Sequence, residues 1–312
     1  VSERTLASAT QNLRARLGDA VGQPVAIICS RDKHALGQSL EALLAVEGPE
    51  AVRCTLEPGA THSTLDYATT LALEVSGQGT LVLLIDPPHA GWLFATVGRP
   101  DTGLLIPNDH LYCDWLLPYD GLLRILQADY GELLRFRRQL MDVLPSALPL
   151  HIVTTAGTDL ICQCGSWLGL DGEVCMAPVA GSARGSLVID GALYEGPPRT
   201  PISLEIEDGR VASASASADE TDPLAVKLRR DLFRDAGATV VAEVGLGINP
   251  CACPSGGIME AEMARGTAHI GFGENRTLGG CNASAIHLDV GLLRPTITLN
   301  GHMLCDAGNY LT

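Results

Sequence analysis

In the last quarter of the chain, Glu243, His269, His287 and Asp289 stand inside apolar segments broken by glycines: VVAEVGLGINP, GTAHIGFGEN and CNASAIHLDVGLL. Carboxylate and imidazole are the donors that hydrolytic and oxygen-activating metal centres use. In AIHLDVGLL, strand periodicity puts His287 and Asp289 on one face and Leu288 on the other. One short strand thus offers two convergent donors. An HxD of this kind also serves as a hydrogen-bonded structural pair. The acidic and histidine residues recurring in neighbouring segments weigh toward a metal.

Such donors need a scaffold. At 312 residues the chain exceeds what one hydrophobic core usually organises, which predicts two domains, and a hydrophobic content of 46% can pack both. A formal charge of −15 speaks against nucleic acid or an anionic membrane as partner, since either needs a basic stripe. A small molecule, a short peptide-like substrate or another protein remains. No apolar run reaches the roughly 18 residues of a membrane span. VSERTLASATQNLRARLGDA reads as a polar amphipathic helix without a signal-peptide core, so a soluble, cytoplasmic protein is expected. The ten cysteines sit mostly in apolar contexts such as VAIICS, AVRCTL and HMLCD and read as reduced thiols. The pairs Cys162/Cys164 and Cys251/Cys253 are spaced more tightly than the CxxC of structural zinc sites, and metal-free thiols are expected there too.

Along the chain, QPVAIICS, KHALGQSLEALLAVEG and AVRCTLEPG read as strand, helix and strand. TLVLLID and GLLIPND continue the pattern, predicting parallel strands covered by helices. GLLRILQADYGELLRFRRQLMDVLP is an amphipathic helical element that closes this half. Beyond it come short runs and turns, LHIVTTAGTDLICQCG, RGSLVIDGALYEG and ISLEIEDGRVASAS, with Asp190-Gly191 and Asp208-Gly209 as hairpin signals. A helix at DPLAVKLRRDLFRDAG, capped by Asp222 and stopped by Gly237, interrupts the strands. The ITLNGHMLCDAG hairpin ends them. The fold expected is an α/β N-terminal domain with a parallel sheet, residues 1–150, and a β-rich (α+β) C-terminal metal-binding domain, residues 151–312.

The segments DGEVCMAP, RGSLVIDG, IEDGRV, AEVGLGINP, GTAHIGFGEN and GGCNASAIHLDVGL follow the order seen in M29-type metallo-aminopeptidases, and residues 151–312 resemble the C-terminal domain of that family. The resemblance implies two divalent metals held by two glutamates, two histidines and an aspartate. Carried over by position, the glutamate of the GEV motif is Glu173 and that of the AEVGLG-like strand is Glu243. The histidine of the HIALG-like turn is His269, and the HxD pair is His287 and Asp289. Zinc, manganese or cobalt is the implied cofactor, and a homodimer the implied assembly.

Two features depart from the family. Where its members carry a tyrosine after the HIALG-like histidine, this chain reads Gly273, Glu274 and Asn275. In length the chain looks like compact relatives that include the 2,5-dihydroxypyridine dioxygenases, whose single Fe(II) is held by two histidines and an aspartate. Their HLD strand is similar to Ile286-His287-Leu288-Asp289, and their Leu-His resembles Pro88-His89, but they have a histidine at the position of Glu243 and lack equivalents of Glu173 and His269. The donor census therefore favours a metal-dependent, aminopeptidase-like hydrolase acting on an amide or peptide-like bond. An Fe(II) ring-cleaving dioxygenase is the alternative, and a metal-free binding or accessory protein on the same scaffold a third reading.

His89, after a strand end of an open sheet, is a candidate to reach the site. Glu260 and Glu262 are candidates for general base. Asn282 and Ser284 are candidates to orient His287. Cys175 and Cys281 lie near the donors in sequence and read as core filling, while His151 and His302 read as structural.

Overall fold

A computed structural model of the chain describes residues 2–17, 24–59, 65, 67, 68, 70, 71, 79–85, 111–114, 117–213 and 221–311. Packing divides it into two units, Val1–Tyr130 and Gly131–Thr312. The first holds a four-stranded parallel sheet in the order β2-β1-β3-β4, formed by β1 (Val25–Ser30), β2 (Ala51–Leu56), β3 (Thr80–Leu84) and β4 (Leu111–Asp114). Every residue of β1 and β3 is buried, as the unbroken apolar runs of a doubly covered parallel sheet require. Helix α1 (Glu3–Leu17) packs on α2 (His34–Glu47), which buries Leu36, Leu40 and Leu44 at four-residue spacing. Gly48, in the left-handed region, ends α2 by donating to the Leu44 carbonyl. Lys33 is wholly buried beside the sheet, its Nζ donating to Ile85 O at 2.7 Å. The strand expected at 103–109 and His89 lie outside the described residues.

The expected amphipathic element is two helices, α3 (Tyr119–Ile125) and α4 (Tyr130–Asp142). The sequence reading divides the chain at 150, whereas α4 packs with the second unit. Phe136 lies edge-on to Tyr310 at 5.3 Å with the Arg265 guanidinium over its ring, and Arg137 donates to Leu170 O.

The second unit contains two antiparallel sheets. The larger, in the order β11-β10-β9-β6-β5-β15-β16-β17, comprises β5 (Pro149–Val153), β6 (Asp159–Gln163), β9 (Arg184–Ile189), β10 (Ile202–Glu207), β11 (Arg210–Ser213), β15 (Thr296–Leu299), β16 (His302–Asp306) and β17 (Asn309–Tyr310). Asp208-Gly209 and Asn300-Gly301 turn their hairpins with positive φ at both residues. Asp190-Gly191 does not make a two-residue hairpin. There Asp190 Oδ1 accepts the Leu293 amide, Gly191 N donates to Gly291 O and Gly291 N donates to Ala192 O, tying the two sheets together. Helix α5 (Pro223–Leu232) is capped by Asp222, which accepts the Leu224 amide, but ends at Leu232, before Gly237. The smaller sheet, in the order β14-β13-β12-β8-β7, comprises β7 (Trp167–Gly169), β8 (Glu173–Met176), β12 (Val241–Gly247), β13 (Thr267–Gly273) and β14 (His287–Leu293). No helix of the described residues is long and apolar enough to cross a membrane.

Candidate metal centre

All five donor residues lie on one face of the smaller sheet. Alternation puts Glu173 and Cys175 of β8, Glu243, Gly245 and Gly247 of β12, His269, Gly271 and Gly273 of β13, and His287, Asp289 and Gly291 of β14 on that side. The opposite face carries Val174, Met176, Val244, Leu246, Ile270, Phe272, Leu288, Val290 and Leu292, all buried, and belongs to the hydrophobic core. The register sets each donor against a glycine: Glu173 opposite Gly247, His269 between Gly245 and Gly291, Gly271 between Glu243 and Asp289, and His287 opposite Gly273. Long polar side chains from adjacent strands can converge only where their cross-strand neighbours have no side chain. At Gly245 a Cβ would fall 1.9 Å from His269 Cε1, and at Gly271 one would fall 2.8 Å from Asp289 Oδ1. The glycine-broken texture of these strands is therefore the condition for the cluster.

Glu243 is its hinge. Its Oε1 lies 3.4 Å from His269 Nε2, which also stands 3.5 Å from Glu173 Oε2. Its Oε2 lies 3.0 Å from His287 Nε2, which stands 3.3 Å from Asp289 Oδ1. Two groups of three donors result, Glu173/Glu243/His269 and Glu243/His287/Asp289, with the donor atoms of each within 4.8 Å of one another. His287 Nδ1 donates to Glu274 O at 2.6 Å, so in the neutral ring Nε2 keeps the lone pair that faces the carboxylates.

The charge balance calls for a cation. Burial pushes the Glu173 carboxyl up to about 7, with His269 opposing and Glu243 and Asp289 adding to the rise. Burial also works against charge on Glu243, yet His269 and His287 outweigh it and hold its carboxyl well below the usual range. Against their own burial, His269 is raised to about 10 by Glu243 and Glu173, and His287 to about 12 by Asp289 and Glu243. His269 and His287 thus supply positive charge to the carboxylates. Even so, Glu173 Oε2 and Asp289 Oδ1 are buried without a hydrogen bond from any described residue. Buried acceptors in that state carry a desolvation cost that a divalent ion would remove. The carboxylate and imidazole set therefore fits a hard or borderline divalent cation.

The structure places the remaining candidates as follows. Glu262 is buried close to the cluster and makes no part of either donor group; burial, then Glu173 and Asp289, raises its carboxyl well above the usual range. Glu260 is turned to the CACPSGG turn, where Oε1 accepts the Cys253 amide at 2.9 Å. Cys175 faces the donors, its thiol pushed up by burial and by Glu243 and Glu173. Cys281 is exposed. Asn282 and Ser284 do not touch His287: Asn282 donates to Gly273 O and Gly237 O, and Ser284 donates to Asp235. His151 pairs with Asp159 at 2.7 Å. Neither CxC pair enters a donor group, and none of the nine described cysteines is in a disulfide.

Two positioning groups escape the sequence reading. The Glu274 carbonyl that fixes His287 is backbone, so no side-chain type announces it. Asp235 clamps the approach to β14 by accepting the amides of Ala285 and Gly237 and the Ser284 hydroxyl. An aspartate just past a helix signals a cap or turn, not a brace for a distant strand.

No protein-family model matches the chain, and no curated protein matches it. Among solved structures it is similar to 2,5-dihydroxypyridine dioxygenase from Pseudomonas putida KT2440, at 19% identity, covering 100% of this chain and 98% of that one with a TM-score of 0.69. It is also similar to AmpT from Thermus thermophilus, at 16% identity, covering 100% of both chains with a TM-score of 0.67. The chain shares its fold with both structures. Its structural neighbours are enzymes of two different chemistries.

Proposed function

We propose that the chain is a metal-dependent, aminopeptidase-like hydrolase that cleaves an amide or peptide-like bond in a small substrate, with two divalent cations of zinc, manganese or cobalt. The observation that carries this reading is Glu243, whose two oxygens face different histidines and so suit a carboxylate shared between two ions. Cations held there would supply Lewis acidity, lowering the pKa of a bound water and polarising a carbonyl. Glu173, Glu243 and His269 would hold one ion, and Glu243, His287 and Asp289 the other. His287 is kept in the tautomer that ligates through Nε2 by the Glu274 carbonyl. Glu262, buried beside the donors, is the candidate general base in this reading. A homodimer belongs to the same proposal.

The second reading is Fe(II)-dependent ring cleavage of a dihydroxypyridine-like ring. In its favour, Glu243, His287 and Asp289 form a complete three-donor site by themselves, on a fold shared with a dioxygenase. One experiment separates the two. Protein loaded with zinc, manganese or cobalt is expected to release amine from a panel of amino-acid amides, and the Fe(II) form to consume no oxygen with 2,5-dihydroxypyridine. Oxygen uptake stoichiometric with ring loss, without amide cleavage, overturns the hydrolase reading.

A further inference from the structure

The two donor groups share Glu243 but differ in their surroundings. Glu173, Glu243 and His269 are all buried, with His269 at 1% exposure, on strands β8, β12 and β13 in the interior of the smaller sheet. The other group lies toward the edge strand β14, where the His287 side chain is 33% exposed. Among the described residues, the most exposed donor of the first group is Glu173 at 11%, so the second group is the more open one through His287.

The glycines opposite them also differ. At Gly245 the missing side chain leaves room for a donor itself, since the His269 ring lies flat against the glycine, with Cε1 and Nε2 at 1.9 and 2.1 Å from where a Cβ would be. At Gly271 the missing side chain leaves room between donors. A Cβ there would stand 2.7 Å from Glu243 Cβ, 2.8 Å from Asp289 Oδ1 and 3.3 Å from His287 Nε2, among all three members of the outer group. Gly271 pairs directly with Glu243 on one side and Asp289 on the other, so a methyl group could not turn out of that space.

Resting on the two-cation reading, we propose that the cation positions are unequal: an inner one closed around Glu173, Glu243 and His269, and an outer, exchangeable one that meets substrate at Glu243, His287 and Asp289, held open by Gly271. The inner ion, ringed by side chains no more than 11% exposed, would leave slowly. The outer ion would meet solvent beside His287, where water and a substrate carbonyl could reach it. Gly271 is a positioning residue for it, acting by leaving space.

The test is metal content. Purified protein is saturated with cobalt(II), desalted, and sampled by elemental analysis during exposure to chelator. Wild type is expected to start with two equivalents and release them in a fast phase of one and a slow phase of one. Gly271→Ala is expected to start with one equivalent, which leaves only in the slow phase. His287→Gln, which removes an outer donor without adding volume, is expected to give the same single slow equivalent. It decides the matter if the alanine variant does not fold. Two ions lost together from wild type, or two ions retained by both variants, overturn the inequality while leaving the two-cation reading intact. A wild type that never takes up two ions overturns that reading itself.

Discussion

Replacing Gly245 by alanine tests whether the donors converge because the opposing strand is bare. The new Cβ would lie 1.9 Å from His269 Cε1. Carbon atoms in contact sit about 3.5–4.0 Å apart, so the ring or the strand must yield by at least roughly 1.6 Å. His269 is 1% exposed and Gly245 is paired to it directly, leaving neither a free direction. Overpacking of a tight interior costs about 1–3 kcal/mol, and forcing the ring off its rotamer about 0.5–1.5 kcal/mol more. At about 2–4 °C per kcal/mol for a domain of this size, the melting temperature should fall by roughly 3–18 °C. The ring displacement also moves Nε2 away from Glu173 and Glu243, so the variant should bind less metal and lose activity. Gly301→Ala is the control: at φ +81° with open space around it, it carries only the left-handed penalty of about 1–2 kcal/mol. It should lower the melting temperature while leaving metal content unchanged. A Gly245→Ala protein with full metal content and wild-type turnover refutes the convergence argument.

Removing metal should destabilise the protein, by about 4 kcal/mol relative to a cation concentration near 1,000 times Kd, read as a drop in the thermal midpoint. In the metal-free form, stability should fall as pH rises from 5 to 9. The Glu173 carboxyl keeps its proton up to about 7 when folded but loses it near 4.5 when unfolded, and His269, raised from 6.5 to about 10, contributes stability that is lost above 6.5. Glu243, held low, gives the opposite slope only on the acid side, so melts that strengthen between pH 6 and 8 in chelator contradict the charge assignment. Asp289→Ala should leave the chain folded and reduce amide turnover by more than the about 10–100-fold typical of losing a partner behind a ligand. Replacing Cys251 and Cys253 together by alanine should leave metal stoichiometry unchanged, and loss of one equivalent would show a thiolate site in the CACPSGG turn.

Much of the architecture was legible because local pattern and tertiary role agree. The unbroken apolar runs at Val25–Ser30 and Thr80–Leu84 are buried on both faces, and Asn300-Gly301 turns where its chemistry says it should. Asp190-Gly191 misled because its dipeptide signals a turn while its partners lie in another sheet, at Leu293 and Gly291. Gly237 misled as a helix stop because the helix had already ended at Leu232, and its amide serves the Asp235 clamp instead. Lys33 carried no warning: its ammonium group is a buried donor to the carbonyl of Ile85, 52 residues away in sequence.

The site divides along the same line. Donor types are written in side chains, so a carboxylate or imidazole inside an apolar strand announces a cost that something must offset. Convergence is written in register, and register is a property of four strands at once. Each glycine, taken alone, reads as a strand breaker. Only when Gly247, Gly245, Gly271 and Gly273 are seen opposite Glu173, His269, Glu243 and His287 does their shared purpose emerge. The two carboxyls first read as equivalent base candidates separate for a comparable reason: Glu260 and Glu262 are two residues apart, yet one braces a turn through the Cys253 amide and the other is buried against the donors. On a short helix, α6 (Ile258–Ala261), a two-residue offset points side chains in nearly opposite directions, and the register of that turn against the sheet decides which carboxyl meets the chemistry.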